Sequence, residues 1–138
     1  MPRRIAIFFY GLFMDAEALR SKGIDPTNIR RATVRGVSIR IGQRAALVPD
    51  AAGHIYGLMM DLSHDEIDRL YAEPSVRVYR PEAVICELDN GISVPALCFN
   101  LPIPPPLDDR NPEYASRLKE LAKRLELPLE YINRIGNG

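Results

Sequence analysis

The chain has 138 residues, of which 46% are hydrophobic and 26% are charged, and these values are ordinary for a globular protein. Eighteen basic residues balance eighteen acidic residues, so no long-range attraction favours nucleic acid or an anionic membrane as a partner. A chain of this length can build one hydrophobic core, and we therefore expect residues 1–138 to form a single domain.

The N-terminal apolar segment and the cysteines indicate the compartment. Residues 5–10 are apolar, but a membrane span needs about 20 apolar residues, and no small-residue cleavage site follows as it would in a signal peptide. Cys86 and Cys98 are too few for a disulfide framework and lack the spacing of a metal site. These features predict a cytoplasmic protein.

Strand patterns dominate the first part of the chain. The apolar run over residues 5–10 is typical of a strand buried on both faces, and it ends at Gly11. Asp15 can cap a short helix that runs through Lys22. Alternating apolar residues then predict three strands, the first of which has a bulge or bend at Gly36, where the alternation changes phase. These strands cover residues 31–41, 45–48 and 54–62, with a turn between the last two.

A helix and a hairpin follow. Ser63 and Glu66 form a capping box, in which each side chain accepts a hydrogen bond from the other residue's amide. Pro74 ends the helix that starts there. The sequence Asp-Asn-Gly at residues 89–91 is a strong signal for a tight hairpin between two strand patterns. These strands cover residues 79–88 and 93–100.

The C-terminal part consists of a stiff connector and helices. Residues 101–107 include four prolines and cannot pair inside a sheet. Asn111 and Pro112 suit the N-cap and first position of a long helix, and a short helix starts at Pro128. About six strands, mostly consecutive, with three or four helices predict an α+β fold around a mixed sheet or a small barrel.

The order of these motifs resembles that of the γ-glutamylcyclotransferase-like family over almost the whole chain. The sequence Phe-Phe-Tyr-Gly at residues 8–11 is similar to the start of the Tyr-Gly-Ser-type loop that follows the family's first strand. Residues 70–80 resemble the stretch that holds the family's catalytic carboxylate. Residues 89–100 and 114–131 are similar to its closing hairpin and C-terminal helices. The resemblance implies a small mixed β-barrel or sheet with flanking helices.

The resemblance also implies a reaction and a catalytic residue. Enzymes of the family release 5-oxoproline from γ-glutamyl compounds, because the substrate's own α-amine attacks its γ-carbonyl and expels an amine. One carboxylate can act as base towards the α-ammonium and then as acid towards the leaving amine. In this chain Glu73 takes that position, at the end of the capped helix, where its side chain can turn inward. Without the resemblance, the position of Glu73 at a helix end favours a solvent-exposed side chain with no catalytic role.

The expected substrate is a small γ-glutamyl amide or amine, and the reaction needs no cofactor and no metal. The sequence is consistent with the absence of a cofactor, since it contains neither a phosphate-binding loop nor a dinucleotide fingerprint. His54 and His64 are isolated, and His64 lies inside the capping box, so neither predicts a metal site or a catalytic triad.

The loop after the first strand is the expected substrate cradle. Gly11 allows close approach of a ligand to the backbone, and successive amides there can hold a carboxylate; a plain strand-to-helix turn is the alternative. Tyr10, Leu12 and Phe13 complete this loop. Leu12 stands where the family usually has serine or threonine, so a hydroxyl contact is lost. Tyr79 either orients Glu73 or a substrate group through its phenol, or packs as a strand residue.

Two other functions stay open. A non-catalytic domain of the same fold would use the cleft to hold a small carboxylate or amide ligand, which Leu12 favours and Glu73 disfavours. In the second alternative, the segment Pro102–Pro106 is a docking peptide for a partner protein, since proline-rich segments preform an extended helix. A connector over the surface would have the same composition.

Overall fold

The computed structural model describes residues 3–136. Its five strands form a closed barrel in the order β1-β3-β2-β4-β5, which confirms the predicted α+β fold around a small barrel. The strands are β1 (Arg4–Phe9), β2 (Thr27–Ile41), β3 (Ala45–Ser63), β4 (Arg80–Leu88) and β5 (Ser93–Asn100). The helices are α1 (Ala16–Ser21), α2 (His64–Leu70), α3 (Pro112–Arg124) and α4 (Leu129–Arg134), and a 3₁₀ turn covers Leu12–Met14.

Strand β1 closes the barrel. It pairs antiparallel with β3, from Arg4 opposite Ser63 to Phe9 opposite Leu58, and it pairs parallel with β5 at Ile7. A strand with a neighbour on each side has no free edge, and Ile7 to Phe9 are almost completely buried. This position explains the continuous apolar run.

The predicted break within residues 45–62 is wrong, because β3 is one strand of 19 residues. Its pairing with β2 is irregular rather than interrupted: Arg35 lies opposite His54 and Val37 lies opposite Pro49. Residues 50–53 of β3 therefore lie opposite Gly36 alone. The φ of Gly36 is +84°, a conformation that glycine adopts without strain. The pairing is irregular at Gly36, where the sequence predicts a bulge or bend, but the extra residues lie on β3, and pairing on both sides of the irregularity keeps β3 continuous.

Helix α2 starts where the sequence predicts. The Ser63 hydroxyl accepts from the Glu66 amide at 3.2 Å and Glu66 accepts from the Ser63 amide at 2.9 Å, which confirms the capping box. The helix ends at Leu70, however, and not at Pro74. A residue before proline is disfavoured in helical conformation, which keeps Glu73 out of a helix, and α2 already ends three residues earlier. Glu73 therefore lies in the turn after α2, which corrects its predicted place at the helix end.

The C-terminal helices pack against the barrel through apolar faces. Asn111 caps α3 by accepting from the Tyr114 amide at 3.1 Å, with Pro112 in the first position. The buried residues of the two helices are Leu118, Leu121, Ala122, Tyr131 and Ile132. Across residues 3–136, every helix falls short of the length and apolar character that a membrane crossing requires.

Candidate active site

A cavity of about 440 Å³ opens beside the C-terminal end of β1, between α1, α3 and the segment after α2. All six residues predicted as catalytic or substrate-binding line it: Tyr10, Gly11, Leu12, Phe13, Glu73 and Tyr79. The fold thus brings the loop after β1 together with a carboxylate from a distant part of the chain. Other lining side chains that sequence patterns did not predict are Lys22, Arg44, Tyr71, Phe99, Tyr114 and Arg117. The roles of all these residues remain predictions.

Glu73 is held by the turn that follows α2. Its carbonyl oxygen accepts hydrogen bonds from the amides of Val76 and Arg77, each at 3.0 Å. Its side chain lines the cavity but is not buried, since 34% of it remains exposed. The expected inward orientation is therefore only partial, and the carboxylate can exchange protons with solvent as well as with a ligand.

The carboxylate of Glu73 has a cationic partner. Lys22 Nζ donates to both oxygens of Glu73 at 2.9 Å. Lys22 is the C-cap residue of α1, where a cation is favoured by the helix dipole. That preference is a sequence signal for a lysine at this place, but it says nothing about the residue that the lysine contacts.

The loop of residues 10–13 lines the cavity, and some of its backbone amides are free to donate. The 3₁₀ turn closes through the Met14 amide, which donates to the Gly11 carbonyl at 3.0 Å. The Leu12 amide donates to the Tyr114 hydroxyl at a long 3.4 Å. Within residues 3–136 the Phe13 amide has no hydrogen-bond partner. The loop therefore keeps donors that can hold a carboxylate, although Leu12 itself supplies no hydroxyl.

Tyr114 fits closely against Gly11. A Cβ atom on Gly11 would lie 2.5 Å from the Tyr114 hydroxyl oxygen, so the absence of a side chain at Gly11 makes room for the phenol. Burial raises the pKa of Tyr114, against the opposing effect of the hydrogen bond from the Leu12 amide. The phenol stays protonated, and its proton is directed neither to Leu12 nor to Gly11. Tyr114 therefore places a hydroxyl donor beside the amides of the loop.

Tyr10 and Tyr79 line the cavity, but their hydroxyl groups are bound to backbone carbonyls. The Tyr10 hydroxyl donates to Phe99 at 3.0 Å, and the Tyr79 hydroxyl donates to Ala45 at 2.5 Å. Burial raises the pKa of both phenols. No hydrogen bond joins Tyr79 to Glu73, and Tyr79 lies just before β4 rather than in it, so the role of Tyr79 stays a prediction.

Cations outnumber carboxylates around the cavity. Lys22, Arg44 and Arg117 line it together with a single carboxylate, Glu73. Arg44 donates through Nε to the Ser75 carbonyl at 2.8 Å, and in residues 3–136 neither arginine has an acidic partner. This excess of positive charge favours an anionic ligand. No group of three metal-ligating side chains occurs in the described part of the chain.

Several solved structures resemble this fold. One is described as "Gamma-glutamyl cyclotransferase", with a TM-score of 0.80 and 15% identity over 96% of this chain and 86% of that one. Uncharacterized protein loc79017 from Homo sapiens has a TM-score of 0.78 and 15% identity over the same shares. YkqA from Bacillus subtilis has a TM-score of 0.78 and 23% identity over 98% of this chain and 54% of that one. At these identities the likeness establishes the fold alone.

Sequence comparison establishes the family. No curated protein matches the chain significantly. The family model described as "Gamma-glutamyl cyclotransferase, AIG2-like" matches residues 7–117, which include the end of β1, the loop after it, Glu73 and Tyr114. Because this match covers most of the chain, the protein belongs to the AIG2-like gamma-glutamyl cyclotransferase family.

Proposed function

We propose that this protein releases 5-oxoproline from a small γ-glutamyl amide or amine, with Glu73 as general acid and base. The observation that carries the proposal is that Glu73 and the loop of residues 10–13 line the same cavity. In this reaction the α-nitrogen of the substrate bonds to its γ-carbonyl carbon and the bond to the leaving nitrogen breaks. The α-nitrogen gives up two protons as it goes from ammonium to lactam N–H, and the leaving nitrogen gains two as it departs as an ammonium. Glu73 passes these protons from one nitrogen to the other in turn, so no oxidant, reductant or water is consumed.

The polar groups of the cavity support one orientation of the substrate. The α-carboxylate binds the Phe13 amide and the Tyr114 hydroxyl, which are donors at one end of the cavity. The α-ammonium then faces Glu73 and takes the place of Lys22 on the carboxylate. Holding both ends folds the γ-glutamyl chain back on itself, so that its nitrogen meets its own carbonyl. Such positioning can lower the barrier by several kcal/mol, on the order of 7 in well-oriented intramolecular reactions.

A non-catalytic ligand-binding domain is the second candidate. Two observations favour it: Leu12 supplies no hydroxyl to the loop, and both oxygens of Glu73 already accept from Lys22. Such a domain would bind a γ-glutamyl compound through the same donors and release it unchanged.

One experiment distinguishes the two candidates. The protein is incubated with γ-glutamyl dipeptides and γ-glutamylamines, and 5-oxoproline is measured by mass spectrometry. Product that is lost in Glu73→Gln but retained in Asp68→Asn supports the enzyme, because Asp68 is an exposed carboxylate of α2 outside the cavity. Absence of product from every compound, with folding verified by circular dichroism, rejects the enzyme. Calorimetric binding without turnover then identifies the binding domain.

A further inference from the structure

The proline-rich segment of residues 101–106 forms one wall of a second cavity, of about 450 Å³, here called the proline groove. Val78 and Asp109 belong to its other walls, and Gln43 and Arg44 line both this groove and the candidate active site. The groove therefore adjoins the active-site cavity at Gln43 and Arg44.

The wall of the groove is held in place by hydrogen bonds. Arg40 Nη1 donates to the Pro105 carbonyl at 3.2 Å, and the Gln43 amide donates to Asp109 at 2.9 Å. A Cβ atom on Gly42 would lie 2.5 Å from Pro105, so the segment packs tightly on the chain before β3. A wall fixed in this way loses little conformational entropy when a ligand binds to it.

The surface of the groove is apolar except at the junction with the active site. Ile103 is 82% exposed and Val78 is 42% exposed, so both side chains are open to a ligand in the groove. The groove's acidic side chain, Asp109, already accepts from the Gln43 amide. An apolar side chain of a ligand can cover Ile103 and Val78 without leaving a polar group unpaired.

Arg44 is the cation at the junction. Its Nε atom donates to the Ser75 carbonyl at 2.8 Å, which fixes the side chain, while its two Nη atoms have no partner in the described part of the chain. A fixed guanidinium with free Nη atoms binds a carboxylate through charge-assisted hydrogen bonds. The junction thus offers a carboxylate site directly beside an apolar surface.

We propose that the proline groove binds the leaving half of the substrate, and that this half is an α-amino acid with a large apolar side chain. Its carboxylate pairs with Arg44 and its side chain covers Ile103 and Val78. Both groups branch from the carbon next to the scissile nitrogen, which matches the neighbouring positions of Arg44 and the apolar wall. The substrate class is then a γ-glutamyl dipeptide of an apolar amino acid. This inference rests on the proposed function.

Three matched compounds test the substrate class: γ-glutamyl-leucine, its C-terminal amide, and γ-glutamyl-glycine. We expect kcat/KM for 5-oxoproline formation to be at least about tenfold higher for γ-glutamyl-leucine than for the amide, since a hydrogen bond between charged groups is lost. We expect about a tenfold preference over γ-glutamyl-glycine from burial of the leucine side chain. Equal turnover of all three would overturn the proposal and leave the proposed function intact.

Two variants assign the preferences to residues. In Arg44→Gln the ratio between acid and amide falls close to one, whereas in Arg77→Gln, an exposed arginine outside both cavities, it is retained. In Ile103→Ser the preference for leucine over glycine is lost, whereas in Ile92→Ser, an exposed isoleucine outside the groove, it is retained. Unchanged ratios in Arg44→Gln and Ile103→Ser overturn the proposal and favour a protein partner for the proline segment.

Binding to the Glu73→Gln variant tests the groove proposal separately from the proposed release of 5-oxoproline. Calorimetry with γ-glutamyl-leucine and its amide measures the affinity of this variant for each compound in the absence of turnover. At least about a tenfold tighter binding of the acid supports the groove even if the wild-type protein makes no 5-oxoproline. Equal affinity, or no binding of either compound, overturns it.

Discussion

Lys22 Nζ lies 2.9 Å from each carboxylate oxygen of Glu73 and joins the end of α1 to the turn after α2. In the proposed reaction the α-ammonium of the substrate needs the same carboxylate. Lys22 and the substrate are therefore competing cations at one site, and the strength of their competition can be measured.

Replacing Lys22 by methionine tests this competition. We expect KM for a γ-glutamyl substrate to fall about twofold to fivefold, because exposed ion pairs of this kind contribute roughly 0.2–1 kcal/mol. Steady-state kinetics measure the change, and Lys22→Arg, which keeps the charge, should leave KM near the wild-type value. A higher KM in Lys22→Met would instead mean that Lys22 binds the substrate itself.

Tyr114→Phe removes the hydroxyl beside the Leu12 amide. We expect KM to rise about fivefold to tenfold, since one hydrogen bond to the substrate carboxylate is lost, and the free energy of unfolding to fall by about 1 kcal/mol or less. Tyr56→Phe is the matched control, because Tyr56 contacts the Tyr131 ring and lies outside the cavity. An unchanged KM in Tyr114→Phe would exclude the hydroxyl from substrate binding.

Gly11→Ala should destabilise the protein through one identifiable contact. The new Cβ would lie 2.5 Å from the Tyr114 hydroxyl oxygen but 3.8 Å from its ring carbon Cζ. We expect a loss of about 1–3 kcal/mol in urea unfolding, as for other overpacked sites. The loss should shrink to less than half in the Tyr114→Phe background, where only the ordinary contact remains. If Gly11→Ala lowers the free energy of unfolding equally in the wild type and in Tyr114→Phe, the destabilisation does not come from contact with the Tyr114 hydroxyl.

Glu66 makes stability depend on acid pH. Burial opposes ionisation of its carboxylate, but hydrogen bonds from the Ser63 and Asp25 amides and the cation of Arg4 outweigh burial and lower its pKa below the ordinary 4.5. Because the unfolded state takes up the proton more readily, this stabilisation is complete above pH 4.5 and is lost as the pH falls through the lower, folded value.

Unfolding in urea at pH 7 and at several values below 4.5 measures the effect of Glu66. Glu66→Ala should cost about 2 kcal/mol at pH 7 and should flatten the dependence on acid pH. The control is Asp65→Asn, which alters an exposed carboxylate of the same helix. A Glu66→Ala variant as sensitive to acid as the wild type would assign the dependence to other groups.

The two thiols should be unreactive in the folded protein. Burial raises the pKa of Cys86 to about 11 and that of Cys98 to about 12. At pH 8 only about a thousandth or less of either thiol is the reactive thiolate. A colorimetric disulfide reagent should therefore react slowly with the native chain and fast in urea. Fast reaction of the native protein at pH 8 would contradict the burial of β4 and β5 at these positions.

Local signals in the sequence account for the correctly predicted elements. The Ser63–Glu66 box and the Asn111 cap each depend on residues within a few positions of one another, so the chain determines them before any tertiary contact forms. Gly36 is a local signal too, but the irregularity there exists only through the pairing of β2 with β3. The apolar run that became β1 indicated burial on both faces. The resemblance singled out Glu73, because spacing alone favoured a solvated side chain there.

Tertiary structure decided what local signals could not. Whether residues 45–62 form one strand or two depended on pairing with β2 on both sides of Gly36. The contacts of Lys22 with Glu73 and of Tyr114 with the loop join residues that are far apart in the sequence. The sequence by itself determined the caps and the family. Closure of the barrel decided which side chains share the cavity, since side chains distant in the chain meet only after the strands have paired.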